Sequence, residues 1–225
     1  MYIKYEHGFP VVNSKDIDEV LKQLNITKWN MAEMPKSLED FIKRESVAEV
    51  DRLRKFIPRD EVVSFQKPDG QIFRGIRRNS ADGVVTFALL PGDLIPICAE
   101  FKHGISEISI NLPGGGNHNN DELPHIAKEE FEQETGVVLE EIIELSPIGI
   151  SSDARIHKNR TFYFLGKAKN PLVIKNTKLD EGEILEPLLI SLKEWLMLIE
   201  NNRVIDGQSI ICTYLALAHL GFIRV

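Results

Sequence analysis

The sequence predicts a mixed α/β layered domain. Strand-like runs fill the middle of the chain, an acidic helix lies between them, and further helical patterns occur at both ends. The 225 residues, 43% of them apolar, are enough for one large globular domain or for a core domain with an appendage. We place a boundary near Pro58, which separates a helical N-terminal extension, residues 1–57, from a main domain, residues 58–225.

The N-terminal extension carries helical signals. From Phe41 to Phe56 apolar residues recur at helical spacing. Ser37 and Asp40 fit a capping box before that helix, although Asp stands where Glu or Gln is usual. We therefore expect helical structure within residues 14–57.

Runs of apolar and β-branched residues predict the strands of the main domain. Residues 67–70, with the sequence Lys-Pro-Asp-Gly, form a turn signal between the first two strands, and residues 91–93 join the next two. The predicted strands are residues 62–66, 71–76, 84–90, 94–101, 105–112, 138–150, 161–167 and 184–190.

Three helices are predicted in the main domain. The first, residues 123–134, follows a polar loop and stops at Thr135-Gly136. Ser191 is a good N-cap for the second helix, residues 192–201, and Asp206 is a candidate cap for the third, residues 208–220.

Charge and composition exclude several classes of function. The net charge of −7 argues against a nucleic-acid-binding surface, which is usually basic. The first ten residues lack a basic segment followed by an apolar run, so we expect no signal peptide. The longest mostly apolar run, residues 210–222, is too short to span a membrane. Cys98 and Cys212 lie among apolar residues, and we expect them to be reduced core residues of a cytoplasmic protein.

A helix crowded with carboxylates follows a run of three glycines. Glu130 and Glu134 are four residues apart and therefore lie on one face of the helix. Like charges at this spacing destabilise an isolated helix by roughly 0.2–0.5 kcal/mol, and a divalent cation would reverse that repulsion. Mg²⁺ prefers oxygen ligands, and Gly114 and Gly115 would let backbone carbonyls approach an ion closely. The alternative is an exposed acidic helix in contact with solvent.

The spacing of Gly115, Asp121 and the helix up to Gly136 resembles the Nudix box. That motif has a glycine, five residues, Glu, seven residues, and then Arg-Glu-apolar-any-Glu-Glu-any-Gly-apolar. The residues that agree with it are Gly115, Glu130, Phe131, Glu134, Gly136 and Val137. Three residues differ, since Asp121 replaces Glu, Glu129 replaces Arg, and Gln133 replaces the first of the paired glutamates.

The resemblance implies a Nudix-type α/β/α sandwich with a mixed sheet, and a metal-dependent hydrolase activity. In that family the acids that align with Glu130 and Glu134 are frequent ligands of Mg²⁺ or Mn²⁺. The residue that aligns with Gly114 contributes its carbonyl oxygen to the metal. The arginine that Glu129 replaces normally pairs with the acid at position 121 and orients the box.

The flanks resemble the ADP-ribose pyrophosphatase branch of the family, and this resemblance covers residues 62–220. Residues 100–102 resemble a Gln-Tyr-Arg segment whose arginine contacts substrate phosphate, which implies that role for Lys102. Glu181 and Glu183 resemble a loop that carries the catalytic base. The implied substrate is a nucleoside diphosphate linked to another group, as in ADP-ribose. Branch members usually form homodimers by exchanging N-terminal strands, and we expect a homodimer here.

Two further residues are candidate substrate contacts. Arg74 lies on a predicted strand and could bind phosphate, although a solvated strand edge is the alternative. Asp153 lies in a polar loop that is near the substrate in the family.

The function has three alternative interpretations. The chain is an active hydrolase, a Nudix fold that has lost most catalysis and binds a ligand, or an unrelated α/β binding protein with an acidic helix. The retained acids Glu130 and Glu134 favour the active hydrolase, and the changes at Glu129 and Gln133 favour the fold that has lost most catalysis.

Overall fold

The computed structural model describes residues 3–28, 43–44, 46–48, 59–118, 121–179 and 184–223. Its contacts divide the chain into two compact units. The larger unit comprises Met1–Trp29, Asp82–Ile150 and Thr161–Val225, and the smaller unit comprises Asn30–Ala81 and Ser151–Arg160. The predicted boundary at Pro58 lies outside the described residues and stays a prediction.

The elements follow one another in chain order. They are β1 (Lys4–Glu6), β2 (Phe9–Val12), α1 (Ile17–Gln23), β3 (Arg59–Gln66), β4 (Ile72–Asn79), β5 (Asp82–Ala88), β6 (Leu94–Lys102), β7 (Glu107–Asn111), β8 (Gly114–Asn117), α2 (Leu123–Thr135), β9 (Leu139–Glu144), β10 (Thr161–Ala168), β11 (Leu185–Ser191), α3 (Leu192–Glu200) and α4 (Gly207–His219). In the described part of the chain, none of the helices combines the length and apolar character needed to cross a membrane.

The larger unit is an α/β/α sandwich with mixed sheets, as the sequence predicts. One sheet has the strand order β1-β2-β11-β6-β7 and the other has the order β8-β5-β10-β9. Each sheet contains one parallel pair, β2 with β11 and β5 with β10, among antiparallel neighbours. Helix α2 packs against strands of both sheets, while α3 packs on β11 and β6 and α4 packs on β5 and β10.

Strand β5 shows why the helices form two layers. Val85 and Phe87 share one buried cluster with Trp195 of α3 and Cys212 of α4. Val84, which directly precedes Val85 and points to the opposite face, belongs to a different cluster that contains residues of α2. Successive side chains of a strand point to opposite faces, so an apolar run that is buried on both faces collects a helix on each side.

The face of α2 that packs on the sheets is the one that the sequence predicts. Ile126, Ala127 and Phe131 are all buried, and Phe131 has no exposed surface. Thr86 of β5 donates a hydrogen bond through Oγ1 to the carbonyl oxygen of Ala127 at 3.3 Å. The opposite face of the helix carries the exposed residues His125 and Glu129.

Both helix caps predicted in the main domain are present. Ser191 Oγ accepts a hydrogen bond from the backbone N–H of Glu194 at the start of α3. Asp206 accepts hydrogen bonds from the backbone N–H groups of Gln208 and Ser209 at the start of α4. These side chains satisfy backbone donors that have no partner inside the helix, which stabilises a helix by about 1 kcal/mol.

The structure differs from the sequence prediction at three places. Strands β1 and β2 were not predicted, and they extend the larger sheet through β11. The glycine run, for which no strand was predicted, forms strand β8. The strand predicted over residues 138–150 ends at Glu144, because a turn closed by a hydrogen bond from Gly149 N–H to the Ser146 carbonyl follows it. Much of the helix predicted within residues 14–57, with its capping box at Ser37, lies outside the described residues.

The smaller unit contains the hairpin that the turn signal predicts. Strands β3 and β4 pair in antiparallel register around residues 67–70. Arg77 forms an ion pair with Glu61 at 2.6 Å, and Asn79 donates a hydrogen bond to the same carboxyl group at 2.7 Å. The Arg77 guanidinium and the Asn79 amide together lower the pKa of Glu61. The hairpin exposes several apolar side chains: Val62, Phe65, Ile72, Phe73 and Ile76.

We expect Phe131→Asp to prevent folding of the larger unit. Truncation of a buried Phe costs about 3–5 kcal/mol, and the substitution also buries a charge without a partner. That loss is comparable with the total stability of a domain, about 5–15 kcal/mol. Thermal melting followed by circular dichroism measures it.

The matched control is His125→Asp, which introduces the same side chain on the exposed face of the same helix. Its imidazole is 70% exposed, so stability should change by about 0.5 kcal/mol or less. If Phe131→Asp melts like the control, α2 is not docked through this face.

Candidate functional site

The candidate site begins where strand β8 approaches strand β5. In the antiparallel register, Gly114 pairs with Val85 and Gly115 pairs with Val84. A Cβ atom on Gly114 would collide with the carbonyl oxygen of Val84. A glycine at this position therefore permits a close approach of two backbones that any other residue would prevent.

The carboxylate of Glu134 is held directly by this strand. The side chain is buried, and its Oε2 accepts a hydrogen bond from the backbone N–H of Gly114 at 2.9 Å. The thiol of Cys98 on β6 donates to the same oxygen at 3.9 Å. A buried carboxylate needs such donors, so the glycine strand and the C-terminal turn of α2 depend on each other.

The carboxylate of Glu130 lies one helical turn away and meets the same strand. A Cβ atom on Gly115 would lie 2.5 Å from both carboxylate oxygens of Glu130. Glu130 is half-buried, and it faces β8 from the same side of α2 as Glu134. The structure thus brings Gly114, Gly115, Glu130 and Glu134 together.

The thiol beside Glu134 remains a hydrogen-bond donor at neutral pH. Burial, followed by the negative charges of Glu134 and Glu100, raises the pKa of Cys98 well above its usual value. Cys98 has no exposed surface, as expected for a core cysteine. It therefore adds no charge next to the buried carboxylate.

The other acids of α2 have structural partners. Glu132 lies 3.9 Å from Lys128 and from Lys175, and it accepts a hydrogen bond from the backbone N–H of Leu139 at 3.0 Å. Glu129 is exposed and lies 3.9 Å from the imidazole of His125. These contacts tie the helix to its neighbours and leave the pair at 130 and 134 as the acids that face the glycine strand.

The backbone groups of Asp121 and Gln133 form hydrogen bonds near the two ends of α2. Asn117 donates to the carbonyl oxygen of Asp121 at 2.7 Å and accepts from its N–H at 3.0 Å, which ties the end of β8 to the residues just before α2. The carbonyl oxygen of Gln133 accepts a hydrogen bond from Lys178 N–H at 2.8 Å. Gly136 ends the helix in a left-handed conformation, with φ of 71°.

The donor set at β8 suits Mg²⁺ or Mn²⁺ better than a transition metal with soft ligands. Mg²⁺ is usually held by one or two carboxylates, together with waters and substrate phosphates. Glu130 and Glu134 could supply those carboxylates, and the carbonyl oxygen of Gly114 is a candidate third ligand. Among the described residues, no group of three or more His, Cys, Asp or Glu side chains is arranged to hold an ion. The remaining ligands would therefore come from backbone, water or substrate.

A cavity of about 210 Å³ opens on the other side of the glycine strand. It is lined by Gly83, Val84, Val85, Lys102, Asn111, Leu112, Gly114, Gly115, Thr161, Asp206 and Gln208. A second cavity, of about 370 Å³, lies at the turn between β6 and β7 and shares Lys102 and Asp206 with the first. The ammonium group of Lys102 is half exposed and forms an ion pair with Glu100 at 2.5 Å.

The start of α4 forms one wall of both cavities. Ser209 Oγ accepts a hydrogen bond from the backbone N–H of Leu112 at 2.8 Å and donates one to Asp206 Oδ2 at 2.5 Å. Tyr163 donates to Gln208 Oε1, and burial raises the pKa of that phenol to about 12. The helix cap, the end of β7 and the cavity wall are therefore one hydrogen-bonded assembly.

The sequence predicted Lys102 and the glycines of this region as site residues. Asn111, Asp206 and Gln208 were not predicted as cavity residues. Asp206 was predicted only as a helix cap. Asn111 was predicted only as part of the strand of residues 105–112. Nothing in the sequence indicated that the start of the last helix lies beside that position.

The remaining predicted site residues fall elsewhere. Arg74 is exposed on β4, and Asp153 lies in the loop of residues 151–160; both belong to the smaller unit. Hydrogen bonds from the side chain and backbone of Arg155 lower the pKa of Asp153. Glu181 and Glu183 lie outside the described residues.

Comparison with known proteins gives a fold and no sequence family. No family model matches this chain, and no curated protein is similar to it in sequence. Among solved structures, the crystal structure of an ADP compounds hydrolase is similar, with a TM-score of 0.61 and 15% identity. The match covers 75% of this chain and 90% of the other. At this identity the likeness concerns the fold, and it confirms the predicted sandwich.

We expect Gly115→Ala to weaken Mn²⁺ binding with little effect on stability. The new methyl group would displace the Glu130 carboxylate, which is the far end of a flexible side chain. Disturbing the surroundings of a metal site typically costs about 10–100-fold in affinity. Titration with Mn²⁺ followed by electron paramagnetic resonance measures the dissociation constant.

Gly116→Ala provides the control on the neighbouring residue. Its methyl group would meet the ring of His118 at 2.7 Å instead of a carboxylate. Its Mn²⁺ affinity should stay within about threefold of wild type. Equal losses in the two variants would count against Glu130 as a ligand.

Proposed function

We propose that this protein is a metal-dependent hydrolase that cleaves the diphosphate bond of a nucleoside diphosphate linked to another group, similar to ADP-ribose. The observation that carries the proposal is the meeting of Glu130 and Glu134 with the Gly114–Gly115 backbone. Two carboxylates one helical turn apart are oriented by a strand that only glycines allow to come this close. The similar fold of an ADP compounds hydrolase supports the same class of substrate.

The proposed chemistry assigns a task to each candidate residue. Bound Mg²⁺ or Mn²⁺ would neutralise charge on the phosphate oxygens and lower the pKa of an attacking water. Glu130, Glu134 and the Gly114 carbonyl would hold it. Lys102 would contact a phosphate oxygen as a point charge, since an ammonium group lacks the fork of arginine.

The catalytic base and one of the outer substrate contacts rest on the family resemblance. Glu181 or Glu183 would accept the proton of the water, as loop acids that reach the site on closure. Asp153 would lie near the substrate, as its loop does in the family. Arg74 would bind phosphate, a role predicted from its charge on a strand and not from the resemblance. The net charge of −7 repels an anionic substrate, so metal and these few cations would have to offset it.

The second candidate function is a ligand-binding or regulatory module with little catalysis. Two observations favour it. Glu129 puts an exposed acid where the box has arginine. Among the described residues, no group of three or more His, Cys, Asp or Glu side chains is arranged to hold a metal ion. Activity measurements distinguish the two functions.

We expect Glu134→Gln to abolish hydrolysis while the protein stays folded. The glutamine oxygen can still accept the hydrogen bond from Gly114 N–H, but the charge that would hold a metal is gone. Activity should fall by about 100-fold or more, and removal of one of two crowded acids should not destabilise the helix. AMP release from ADP-ribose with Mg²⁺ or Mn²⁺ measures the rate.

Two further variants complete this test. Glu132→Gln, on the same helix, removes an acid that pairs with lysines and should leave the rate nearly unchanged. Glu129→Arg restores the cation of the box and should raise activity or metal affinity. If wild type is inert on a panel of nucleoside diphosphate derivatives and Glu129→Arg does not rescue it, the binding module replaces the hydrolase.

We also propose that the protein is a homodimer that associates through the hairpin of β3 and β4. The exposed apolar residues of this hairpin occupy both of its faces. Val62 and its partner Ile76 lie on one face, and Phe65 and its partner Phe73 lie on the other, because Val62 and Phe65 are an odd number of residues apart on one strand. A two-stranded ribbon is marginally stable alone, and a large exposed apolar surface usually marks an association site.

We expect wild type to sediment as a dimer at micromolar concentration and Ile72→Asp to shift it towards monomer. The substitution places a charge within the apolar surface, where Ile72 is 57% exposed. Gln71→Asp, one residue earlier in the turn, should remain dimeric. A wild-type monomer in sedimentation velocity would contradict the proposal.

A further inference from the structure

Strand β6 directs the thiol of Cys98 towards helix α2. Ile97 and Ala99, its neighbours in the sequence, belong to the buried cluster that contains residues of α3 and α4. Successive side chains of a strand point to opposite faces, so Cys98 lies on the other face, where β6 contacts α2. Its sulfur lies 3.9 Å from Oε2 of Glu134, and the side chain has no exposed surface. The thiol therefore contacts one of the two acids of the candidate metal site.

The contact is a hydrogen bond from the thiol to the carboxylate. A thiolate at this place would bury two negative charges side by side, so the sulfur keeps its proton. The backbone N–H of Gly114 donates to the same oxygen at 2.9 Å. Oε2 of Glu134 thus accepts two hydrogen bonds, one from β6 and one from β8. An ionised carboxylate has about two lone-pair sites on each oxygen, and these two donors occupy both sites of Oε2.

Packing alone does not require a cysteine at this position. The neighbouring residues of β6 that are fully buried, Ile95, Ile97 and Ala99, are all apolar. An aliphatic side chain at position 98 would fill similar space, but it would leave a buried carboxylate with one donor fewer. A lost donor costs most when the acceptor is both charged and buried. The presence of a thiol is therefore best explained by the acid that it contacts.

The two donors limit how Glu134 can hold an ion. With both lone-pair sites of Oε2 occupied, the carboxylate can ligate a metal through one oxygen but not through both at once. Ca²⁺ takes about six to eight oxygen ligands and accepts bidentate carboxylates. Mg²⁺ is smaller, requires nearly octahedral geometry and is usually held by one or two carboxylates together with waters. Ligation through a single oxygen therefore disfavours Ca²⁺ more than Mg²⁺.

We propose that Cys98 is a positioning residue of the metal site, whose thiol restricts Glu134 to ligation through one oxygen and so makes the site select Mg²⁺ over Ca²⁺. This inference rests on the proposed function and adds to it a residue that the family resemblance does not indicate. Cys98 does not touch the ion and acts through the acid that does. Groups that orient metal ligands in this way typically change metal affinity by about 10–100-fold.

Three variants separate the effect of the thiol from that of its surroundings. Cys98→Val removes the donor and fills the space of the sulfur, which keeps water from replacing it. Cys98→Ser keeps a donor at the same position. Cys212→Val is the matched control, because Cys212 is also a buried thiol but donates to the carbonyl oxygens of Val85 at 3.5 Å and Phe164 at 3.7 Å.

Ion competition measures the selectivity of the site. Mn²⁺ binding is followed by electron paramagnetic resonance, and displacement by Mg²⁺ or Ca²⁺ gives the dissociation constants of those two ions. Wild type, Cys98→Ser and Cys212→Val should bind Mg²⁺ at least about tenfold more tightly than Ca²⁺. In Cys98→Val, Oε2 of Glu134 loses one of its two donors and can also ligate the ion, so this preference should fall to about twofold or less.

The S–H stretching band in the infrared spectrum reports the hydrogen bond itself. A metal ion draws electron density from a carboxylate and weakens the hydrogen bond that the carboxylate accepts. Saturating Mg²⁺ should therefore shift the Cys98 band of wild type to higher frequency, while the Cys212 band stays in place. Cys98→Ser lacks the first band and so assigns it. A thiol with only a packing role would give no shift.

The two measurements decide the assignment. An unmoved Cys98 band in protein that binds Mn²⁺ would overturn the inference and leave the proposed function standing. Equal affinities of wild type for Mg²⁺ and Ca²⁺, or an unchanged preference in Cys98→Val, would have the same meaning. Failure of wild type to bind Mn²⁺ and Mg²⁺ overturns both. If melting shows that Cys98→Val is unfolded, the band shift in wild type decides alone.

Discussion

The hydrogen bond from Gly114 N–H to the buried carboxylate of Glu134 is the interaction on which the rest of the larger unit depends. It forms only because β8 lies close to β5, and a side chain at Gly114 would collide with the Val84 carbonyl. The same approach puts Gly115 against Glu130. Two glycines of one strand thus orient two acids on one side and form part of a cavity wall on the other.

This arrangement relates the two sheets to the helices. β8 is an edge strand of one sheet, and it follows directly from β7 at the edge of the other. Helix α2 contacts both sheets, so the polar cluster at its C-terminal half lies where they adjoin. Apolar contacts through Phe131 supply the packing, while the carboxylates occupy the adjacent polar face. One face of this amphipathic helix therefore stabilises the fold, and an adjacent face of the same turns positions the carboxylates.

The parts of the fold that follow from local sequence were predictable. The apolar run of β5, the caps at Ser191 and Asp206, and the spacing of Glu130 and Glu134 each depend on residues near one another in the chain. Strands β1 and β2 were missed, because three or four residues are too few to establish an alternation. The glycine run carries no side-chain pattern at all, so its pairing with β5 could not be read from composition.

The candidate site divides in the same way. The acids of α2 were predicted because a helix fixes their relative positions. The orientation of the Asn111 amide depends on Glu100, which lies on the neighbouring strand. The cavity wall beside Asn111 depends on α4, which lies far away in the sequence. Such pairings are set by strand register and layer packing, which the local pattern does not encode.

The cap of α4 has a consequence for how the cavities could change through evolution. Asp206 begins the helix, receives the Ser209 hydroxyl that holds the end of β7, and lines both cavities. A substitution there would alter the lining and loosen the helix together. Thr161 also lines the first cavity but does not cap α4, so a substitution there would change the lining without removing the cap. In evolution, a change of the cavity lining at this carboxylate would therefore always come with a change in the stability of α4.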